Sequence, residues 1–89
     1  MDSTLKKTLK AKAHHLNPVI LMGNKGLTDA VIAETDLALT SHELIKVKLV
    51  SSDKAERLDR VQHLCETTHA TLIQLIGHIA VIYRKNPEK

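Results

Sequence analysis

The chain has 89 residues, of which 43% are hydrophobic and 26% are charged. These values favour a single globular domain and exclude disordered, collagen-like and coiled-coil chains. Tyr83 is the only aromatic residue, which excludes a nucleic-acid surface that stacks bases on a row of aromatic rings. The single cysteine, Cys65, excludes an internal disulfide and a cysteine-based zinc cluster.

The sequence also bears on the compartment. Residues 1–7 lack the apolar run of a signal peptide. The longest mostly apolar stretch, residues 72–83, is too short for a membrane span and is interrupted by Gln74, Gly77 and His78. A lone cysteine suits a reducing compartment. We therefore expect a cytoplasmic protein with no membrane partner.

The net charge is only +3, but the two signs are segregated along the chain. Residues 1–26 contain five lysines and one acidic residue, whereas residues 27–45 contain four acidic residues and no lysine or arginine. One surface is therefore predicted to be basic and another acidic. A basic surface attracts phosphate backbones, although such surfaces also occur in proteins that bind no nucleic acid.

The first helix is predicted over residues 4–15, where Leu5 and Leu9 recur at helical spacing. Three lysines fall on its other faces, Lys6, Lys7 and Lys10. Pro18 ends the helix, because a proline biases the preceding residue away from helical geometry. The apolar run at residues 19–22 then predicts a central strand that is covered on both faces.

A second helix is predicted from Thr28, a good N-cap residue, to His42. Its buried face is expected to comprise Val31, Ile32, Thr35, Ala38 and Leu39. Residues 44–50 alternate apolar side chains with Lys46 and Lys48, which predicts a strand with one buried face and one face in water.

The third helix is predicted to begin after Asp53, which has capping-box spacing to Glu56. It is predicted to end near His69. Its buried stripe is expected to comprise Leu58, Val61, Leu64 and Cys65.

Two final strands, at residues 71–76 and 79–84, flank Gly77-His78, which is a hairpin signal. The predicted order is α-β-α-β-α-β-β in an α/β fold of α+β character, with three helices on a mixed four-stranded sheet. The strand–helix–strand crossovers imply parallel neighbours and the hairpin implies an antiparallel pair. Residues 1–85 form a single domain, and residues 86–89 are a polar tail.

The segment Gly23-Asn24-Lys25-Gly26 lies between a predicted strand and a predicted helix. Two glycines let the backbone adopt a left-handed conformation and let a bulky ligand approach closely. Backbone N–H groups of such a turn, together with a lysine, can contact a phosphate. The spacing differs from that of nucleotide-binding and dinucleotide-binding loops. A plain turn that needs glycine for its geometry explains the motif equally well.

The chain resembles the YhbY-like family of small RNA-binding proteins in residues 16–20, 23–28 and 42–48, and again in residues 74–78 and 82–84. This family consists of a single CRM domain, named for chloroplast RNA splicing and ribosome maturation. The resemblance implies a fold like the C-terminal domain of translation initiation factor three and a glycine loop comparable to that of KH domains. Bacterial members are associated with precursors of the large ribosomal subunit.

The resemblance implies that RNA is contacted by the glycine loop and by neighbouring basic residues. The implied positions are Gly23, Asn24, Lys25, Gly26, Thr28, Lys6, Lys7, Lys10, Lys46, Lys48 and Arg84. Ribosomal RNA of the large-subunit precursor is the implied partner, ribosomal proteins are a second one, and the protein is expected to be a monomer without a cofactor or metal.

Two positions depart from the family pattern. His69 stands where the turn after the third helix usually has glycine, so we expect His69 to adopt left-handed geometry at some energetic cost. His78 stands where a lysine often follows the glycine of the final hairpin. That replacement either weakens one phosphate contact at neutral pH or makes it pH-dependent.

Two other classes of function are compatible with the sequence. An enzyme or metal site could use His63, Cys65 and His69, but Cys65 lies on the apolar stripe and behaves there as a small hydrophobic residue. A protein-docking module could use the acidic helix 29–43. We expect a non-catalytic RNA-binding protein.

Overall fold

The computed structural model describes residues 2–51 and 53–87. The described residues form three helices and four strands: α1 (Ser3–Ala13), β1 (Pro18–Met22), α2 (Asp29–His42), β2 (Leu44–Leu49), α3 (Lys54–Thr68), β3 (Thr71–Ile76) and β4 (Ile79–Tyr83). The predicted element order and fold class are confirmed. None of the helices in these two ranges is long and apolar enough to cross a membrane.

The four strands form one mixed sheet in the order β1-β2-β4-β3. β1 pairs with β2 in parallel, and β4 pairs with both β2 and β3 in antiparallel fashion. The parallel first pair and the final hairpin are as predicted. The expectation that both crossovers join neighbouring strands is wrong for the second one, because β4 folds back from the hairpin and inserts between β2 and β3.

The larger core lies on the face of the sheet covered by α2 and α3. Alternate strand residues such as Ile20, Val47 and Ile82 meet Leu39 of α2 and Leu64 of α3 there, and all of them are buried. The predicted buried faces of α2 and β2 are confirmed. Alternation in the strands therefore directs every second side chain into this core.

The other face of the sheet is covered only by α1. Leu9 and Ala13 of this helix pack on Ile73 and Val81 in a second, smaller core. The sequence places Leu5 on the apolar stripe of α1, but this residue is 41% exposed. A helix of 11 residues is about 16 Å long, so it covers only part of a four-stranded sheet.

β1 is not the doubly covered central strand that the apolar run predicts. It is an edge strand paired with β2 alone. Ile20 and Met22 are buried, but Val19 and Leu21 on the other face are 55% and 59% exposed. A short apolar run satisfies a central strand and an edge strand equally well, so the sequence pattern could not distinguish them.

Capping side chains begin all three helices. Thr28 Oγ1 accepts a hydrogen bond from the Val31 N–H at 3.2 Å, and Asp53 Oδ1 accepts from the Ala55 N–H at 2.9 Å. Both N-caps are as predicted, and Asp2 caps α1 in the same way. In a complete capping box the Asp53 N–H would donate to the Glu56 side chain. It donates to Ser51 Oγ instead. These bonds satisfy N–H groups that a helix start otherwise leaves unpaired.

One position on the buried face of α3 differs from prediction. The sequence pattern places Leu58 in the core, but Leu58 is 41% exposed, whereas the neighbouring Arg57 is only 8% exposed. Arg57 Nη1 donates to the Ser51 carbonyl oxygen at 2.9 Å, which ties the start of α3 to the end of the preceding loop. Helical spacing places Arg57, Val61 and Leu64 on one face, so an arginine begins a stripe that is otherwise apolar.

His69 adopts the left-handed conformation that its position in the sequence predicts, with φ +59° and ψ +32°. Its backbone N–H donates to the Cys65 carbonyl and so ends α3. Glu43, between α2 and β2, also has a positive φ of +63°, which nothing in the sequence indicates. Side chains with a Cβ disfavour this region, so both turns carry strain.

The strain at His69 gives a test of the helix end. We expect His69→Gly to raise the free energy of unfolding by about 1 kcal/mol, because glycine adopts this conformation without the Cβ penalty. Urea unfolding of the two proteins measures the difference. Glu66→Gly, in the exposed interior of the same helix, is the matched control and should instead lower stability by about 1 kcal/mol. A His69→Gly variant that is no more stable than the parent contradicts the proposal of strain.

Candidate nucleic-acid interface

Three chain segments meet at one edge of the sheet, which we call the loop edge: residues 23–26 after β1, residues 50–51 and 53 after β2, and Gly77-His78 between β3 and β4. The Val50 N–H donates to the Met22 carbonyl at 3.1 Å, and the Leu49 N–H donates to the His78 carbonyl at 2.7 Å. These bonds hold the three segments side by side. The glycine loop predicted from the sequence therefore lies beside the hairpin.

The two glycines of the loop 23–26 differ in their backbone conformation and surroundings. Gly26 has φ +72°, and its N–H closes a tight turn by donating to the Gly23 carbonyl at 2.9 Å. A Cβ on Gly26 would lie 3.1 Å from Arg60 Nε. Gly23 has no positive φ, and a Cβ there would meet open space. The fold thus requires glycine at position 26, whereas it places no steric demand on position 23.

Arg60 is a basic residue of this edge that the sequence analysis missed. It projects from α3 onto Gly26, and its Nη2 forms an ion pair with Glu56 one turn earlier on the same helix. Arg60 is therefore held in place against the glycine loop. The spacing of Glu56 and Arg60 signals an ion pair, but it does not reveal which loop the helix packs against.

The amino-terminal ends of α2 and α3 both lie at the loop edge, because each helix begins directly after one of its loops. Thr28 and Asp53, the two N-caps, stand directly after strands β1 and β2 and their loops. The helix dipole makes such ends favourable for negative charge. The Thr28 hydroxyl oxygen accepts from Val31, so this hydroxyl keeps its own proton for donation to an outside group.

The sheet face beside the loop edge is only partly covered. Strand register places Leu21, Lys48, Ile79 and Ile76 in one row across the four strands. The row behind it contains Lys46, Val81 and Gln74. Lys48, Leu21 and Ile76 are exposed, so this part of the sheet presents an apolar surface that carries two lysines.

The lysines of α1 flank this surface. Lys10 lines a groove between α1 and the sheet, together with Lys46. Lys6 lies one turn before Lys10 on the same side of the helix, and Lys7 lies next to Lys6 on the exposed side. The structure therefore brings Lys6, Lys7 and Lys10 to the same face of the molecule as Lys46 and Lys48.

Arg84 is not brought to this face. It follows β4 at the opposite end of the sheet, where Nη1 donates to Asp36 Oδ1 at 2.5 Å and to the Thr68 carbonyl at 2.9 Å. Nη2 donates to the Asp36 carbonyl and to Thr40 Oγ1. This guanidinium connects the end of β4 to α2 and α3, and both of its terminal nitrogens donate hydrogen bonds to other groups of the protein.

The adjoining chain end is also attached to α2. The Asn86 N–H donates to Glu43 Oε2 at 2.6 Å, and Asn86 Nδ2 donates to the Thr40 carbonyl at 2.9 Å. Asn86, the first residue of the predicted polar tail, is therefore hydrogen-bonded to the folded domain. Residues 88 and 89 of that tail lie outside the described residues.

The acidic segment of the chain lies mainly on α2, away from the lysine-bearing face. Asp36 pairs with Arg84, and Glu43 accepts the Asn86 N–H. Asp29 and Glu34 are exposed. The predicted segregation of charge is thus present in three dimensions, but two of the four acidic side chains serve the fold itself.

His78 occupies the hairpin at the loop edge. Its Nδ1 lies 2.8 Å from the Leu49 carbonyl oxygen. A carbonyl only accepts, so Nδ1 carries the proton and Nε2 is the nitrogen left for an outside partner. The imidazole is thus oriented by the protein at the position where the family often has lysine.

The residues considered for catalysis do not form a reactive cluster. Cys65 is buried in the main core, as predicted, and burial raises the pKa of its thiol to about 11. His63 lies on the exposed side of α3, 3.9 Å from Asp59. Within residues 2–51 and 53–87, no three His, Cys, Asp or Glu side chains come together as a metal site would require.

The comparison with known proteins decides the family. The sequence profile of the CRS1/YhbY (CRM) domain matches residues 1–84. The chain belongs to this family. It is similar to an RNA-binding protein of Haemophilus influenzae, at 46% identity over 99% of this chain and 89% of that one. It is also similar to a probable RNA-binding protein of Pseudomonas aeruginosa, at 45% identity over 93% of this chain and 80% of that one.

A solved structure shares the fold of this CRM domain. The solution structure of a Staphylococcus aureus protein, described as a candidate RNA-binding protein, matches with a TM-score of 0.86 and 30% identity, over 97% of this chain and 90% of that one. The resemblance inferred from the motifs is therefore confirmed, and so is the architecture of three helices on a mixed four-stranded sheet.

The buried thiol of Cys65 gives a prediction about alkaline stability. The thiol of the unfolded chain ionises near its ordinary pKa of 9.0, while burial raises the pKa in the folded protein to about 11. The unfolded state therefore loses its proton first, so this group's contribution to stability is intact below pH 9 and is lost as the pH rises toward 11. Cys65→Ala, at a cost on the order of 1 kcal/mol at pH 7, should show a shallower loss of stability over that interval. Denaturant unfolding at pH 7, 9 and 10.5 measures it, and equal slopes for both proteins contradict the assignment.

Proposed function

We propose that this CRM-domain protein binds RNA without catalysing a reaction. The observation that carries the proposal is the gathering of lysines from α1 and β2 around one partly uncovered sheet face, next to the loop edge, whose glycine loop carries the exposed Lys25. The lysines of the sheet face are Lys6, Lys7, Lys10, Lys46 and Lys48. The names of the relatives, each an RNA-binding or probable RNA-binding protein, support RNA as the ligand.

Contacts to phosphate supply most of the affinity in this proposal. Lysine ammonium groups act as mobile point charges toward phosphates, and binding releases counterions from the RNA. With one aromatic residue in the chain, stacking of successive bases on rings contributes little. The binding should therefore weaken steeply as the salt concentration rises.

The glycine loop positions one stretch of the RNA backbone. Gly23 leaves open space at the surface, so a phosphate can approach the main chain closely. Lys25 precedes Gly26 in the loop and supplies positive charge, Arg60 packs against Gly26, and the Asn24 amide can donate and accept. The amino-terminal end of α2, including the Thr28 hydroxyl, adds further donors.

Arg84 is left out of this surface. Its terminal nitrogens donate to α2 and to the carbonyl of Thr68 at the end of α3, so they hold the fold together. The family resemblance implies an RNA contact at this position, whereas the geometry supports a structural role.

We further propose that the RNA is ribosomal and that the protein assists assembly of the large ribosomal subunit in the cytoplasm as a monomer. The support is the resemblance to bacterial YhbY-like proteins, together with a surface that selects backbone shape and charge. Such a surface suits a folded or partly folded RNA, and ribosomal proteins are additional partners in this setting.

The two rival functions have less support. Burial raises the pKa of the Cys65 thiol to about 11, which makes this candidate nucleophile less reactive than an exposed thiol. Docking through the acidic helix has fewer free charges than the sequence suggests, because Asp36 and Glu43 bind groups of the same chain.

The glycine loop can be tested with small substitutions. Gly23→Ala should leave the unfolding transition unchanged, because its Cβ meets open space, yet weaken RNA binding several-fold by blocking close approach. Lys25→Ala should weaken binding and reduce the slope of log K against log salt by roughly 0.7–0.9, the value for a single phosphate. Lys85→Ala removes the same charge at the opposite end of the sheet and is the matched control. Affinity that is unchanged in both loop variants, or that falls equally in Lys85→Ala, rules out the loop as an RNA contact.

The identity of the RNA can be tested in cells. Ultraviolet cross-linking of the tagged protein, followed by sequencing of the attached RNA, should recover precursor large-subunit rRNA at a small number of sites. The Gly23→Ala, Lys25→Ala double variant, expressed at the same level, should recover several-fold less. Cross-links spread over messenger and transfer RNAs in proportion to abundance would contradict a role in ribosome assembly while leaving RNA binding itself in place.

A further inference from the structure

A groove lies between α1 and the sheet, at the point where α1 ceases to cover the strands. Its volume is about 230 Å³, which is below the roughly 300–1,000 Å³ of pockets for drug-sized ligands. The floor is aliphatic: Val81 is buried, Ile79 is half-buried, and Ile76 at the outer end is 64% exposed. The groove is therefore a small apolar slot that opens toward the loop edge.

Four polar side chains line this groove. Lys10 comes from α1, His14 from the residue that follows it, Lys46 from β2 and Gln74 from β3. None of them has a side-chain hydrogen bond or ion pair to any described residue. No carboxylate among the described residues lines the slot. An apolar floor with a few convergent polar groups is the usual form of a ligand site.

We propose that this groove binds one unpaired nucleotide of the RNA, an inference that rests on the proposed function. The base lies on Ile76, Ile79 and Val81, while the adjoining phosphates meet Lys10 and Lys46. The Gln74 amide has both a donor group and an acceptor, so it can pair with the edge of a base. Lys48, in the row of Ile79 and Ile76, continues the positive surface from the groove toward the glycine loop.

The chemistry of the slot favours a nucleotide over an acidic peptide. A nucleobase presents a flat apolar face to the aliphatic floor and a polar edge to Gln74 at the same time. In a nucleotide the negative charge lies on the phosphate and not on the ring, so the base can lie on the floor while the phosphate meets the lysines that line the groove. The base must be unpaired, because side chains cannot reach base edges in the deep and narrow major groove of an RNA duplex.

The test compares one RNA hairpin that is fully paired with the same hairpin carrying a single bulged nucleotide. The wild-type protein should bind the bulged RNA about tenfold more tightly, because a tenfold ratio of affinities corresponds to the free energy of one good local contact. Gln74→Leu keeps the size of the side chain but removes the amide, and Ile76→Glu places a carboxylate at the mouth of the groove. Both variants should reduce the preference to about twofold or less while still binding the paired hairpin.

Leu37→Glu is the matched control, because Leu37 is an equally exposed aliphatic residue, at 69%, on the outer side of α2. It should keep the tenfold preference. Thermal unfolding of each variant establishes that the fold is intact. If Leu37→Glu loses the preference as fully as Ile76→Glu does, the effect is one of net charge and the groove assignment is overturned.

The outcomes separate this inference from the proposed function. Equal, salt-dependent binding of both hairpins by the wild-type protein overturns the groove and leaves RNA binding standing. No binding of either hairpin at low salt overturns both. In an NMR titration with adenosine or uridine 5′-monophosphate, a shift of the Gln74 side-chain amide supports the groove. A shift caused only by an aspartate-rich peptide, and by neither nucleotide, overturns it in favour of a protein ligand.

Discussion

The handedness of the two strand–helix–strand crossovers determines which face of the sheet is left partly uncovered. Right-handed crossovers that step in the same direction across a sheet place their helices on the same face. α2 and α3 therefore both cover one face, where they enclose the main core. The other face receives only the 11-residue α1. Part of that face consequently stays open. It is lined by aliphatic residues of β1 and β4 and by the two lysines of β2.

The same topology assembles the loop edge. In two successive crossovers, the carboxyl ends of the parallel strands and the amino-terminal ends of the following helices lie at one edge of the sheet. The glycine loop after β1 and the loop after β2 are therefore neighbours, and β4 brings the hairpin to the same place. The amino-terminal end of α2 is thus placed at the loop edge by the topology itself, whereas at α3 the Asp53 carboxylate already accepts from the first N–H groups.

The charged groups divide into those that hold the fold and those left for a partner. Arg84, Asp36 and Glu43 are engaged with one another or with nearby backbone at the end of the sheet opposite the loop edge. The strained turn at Glu43 is stabilised there, because its carbonyl accepts the Arg84 N–H and its carboxylate accepts the Asn86 N–H. By contrast, Lys10 and Lys46 have no partners among the described residues. An uncompensated group of lysines is what a phosphate backbone requires.

Much of this protein follows from its sequence alone, and the reason is that the informative signals are local. Apolar periodicity, one continuous apolar run and the hairpin signal at Gly77-His78 place the seven elements. Thr28 and Asp53 mark two helix starts, and His69 in a glycine position predicts a left-handed turn. The motif 23–26 with its flanking segments identifies the CRM family. The elements, caps and turns each depend on residues within a few positions of one another, where backbone geometry and capping act directly, and the family resemblance is a series of such short segments.

Tertiary structure decided what depends on residues far apart in the chain. Only the placement of β3 and β4 on the far side of β2 left β1 at an edge with Val19 and Leu21 exposed. Only the packing of α3 against the glycine loop placed Arg60 on Gly26. Only the fold showed that Arg84 binds Asp36 at the end of the sheet opposite the loop edge. The groove, too, needs α1 to cross the sheet beside Lys46 and Gln74. Such contacts depend on which faces meet when the cores close, and a pattern along the chain does not contain that information.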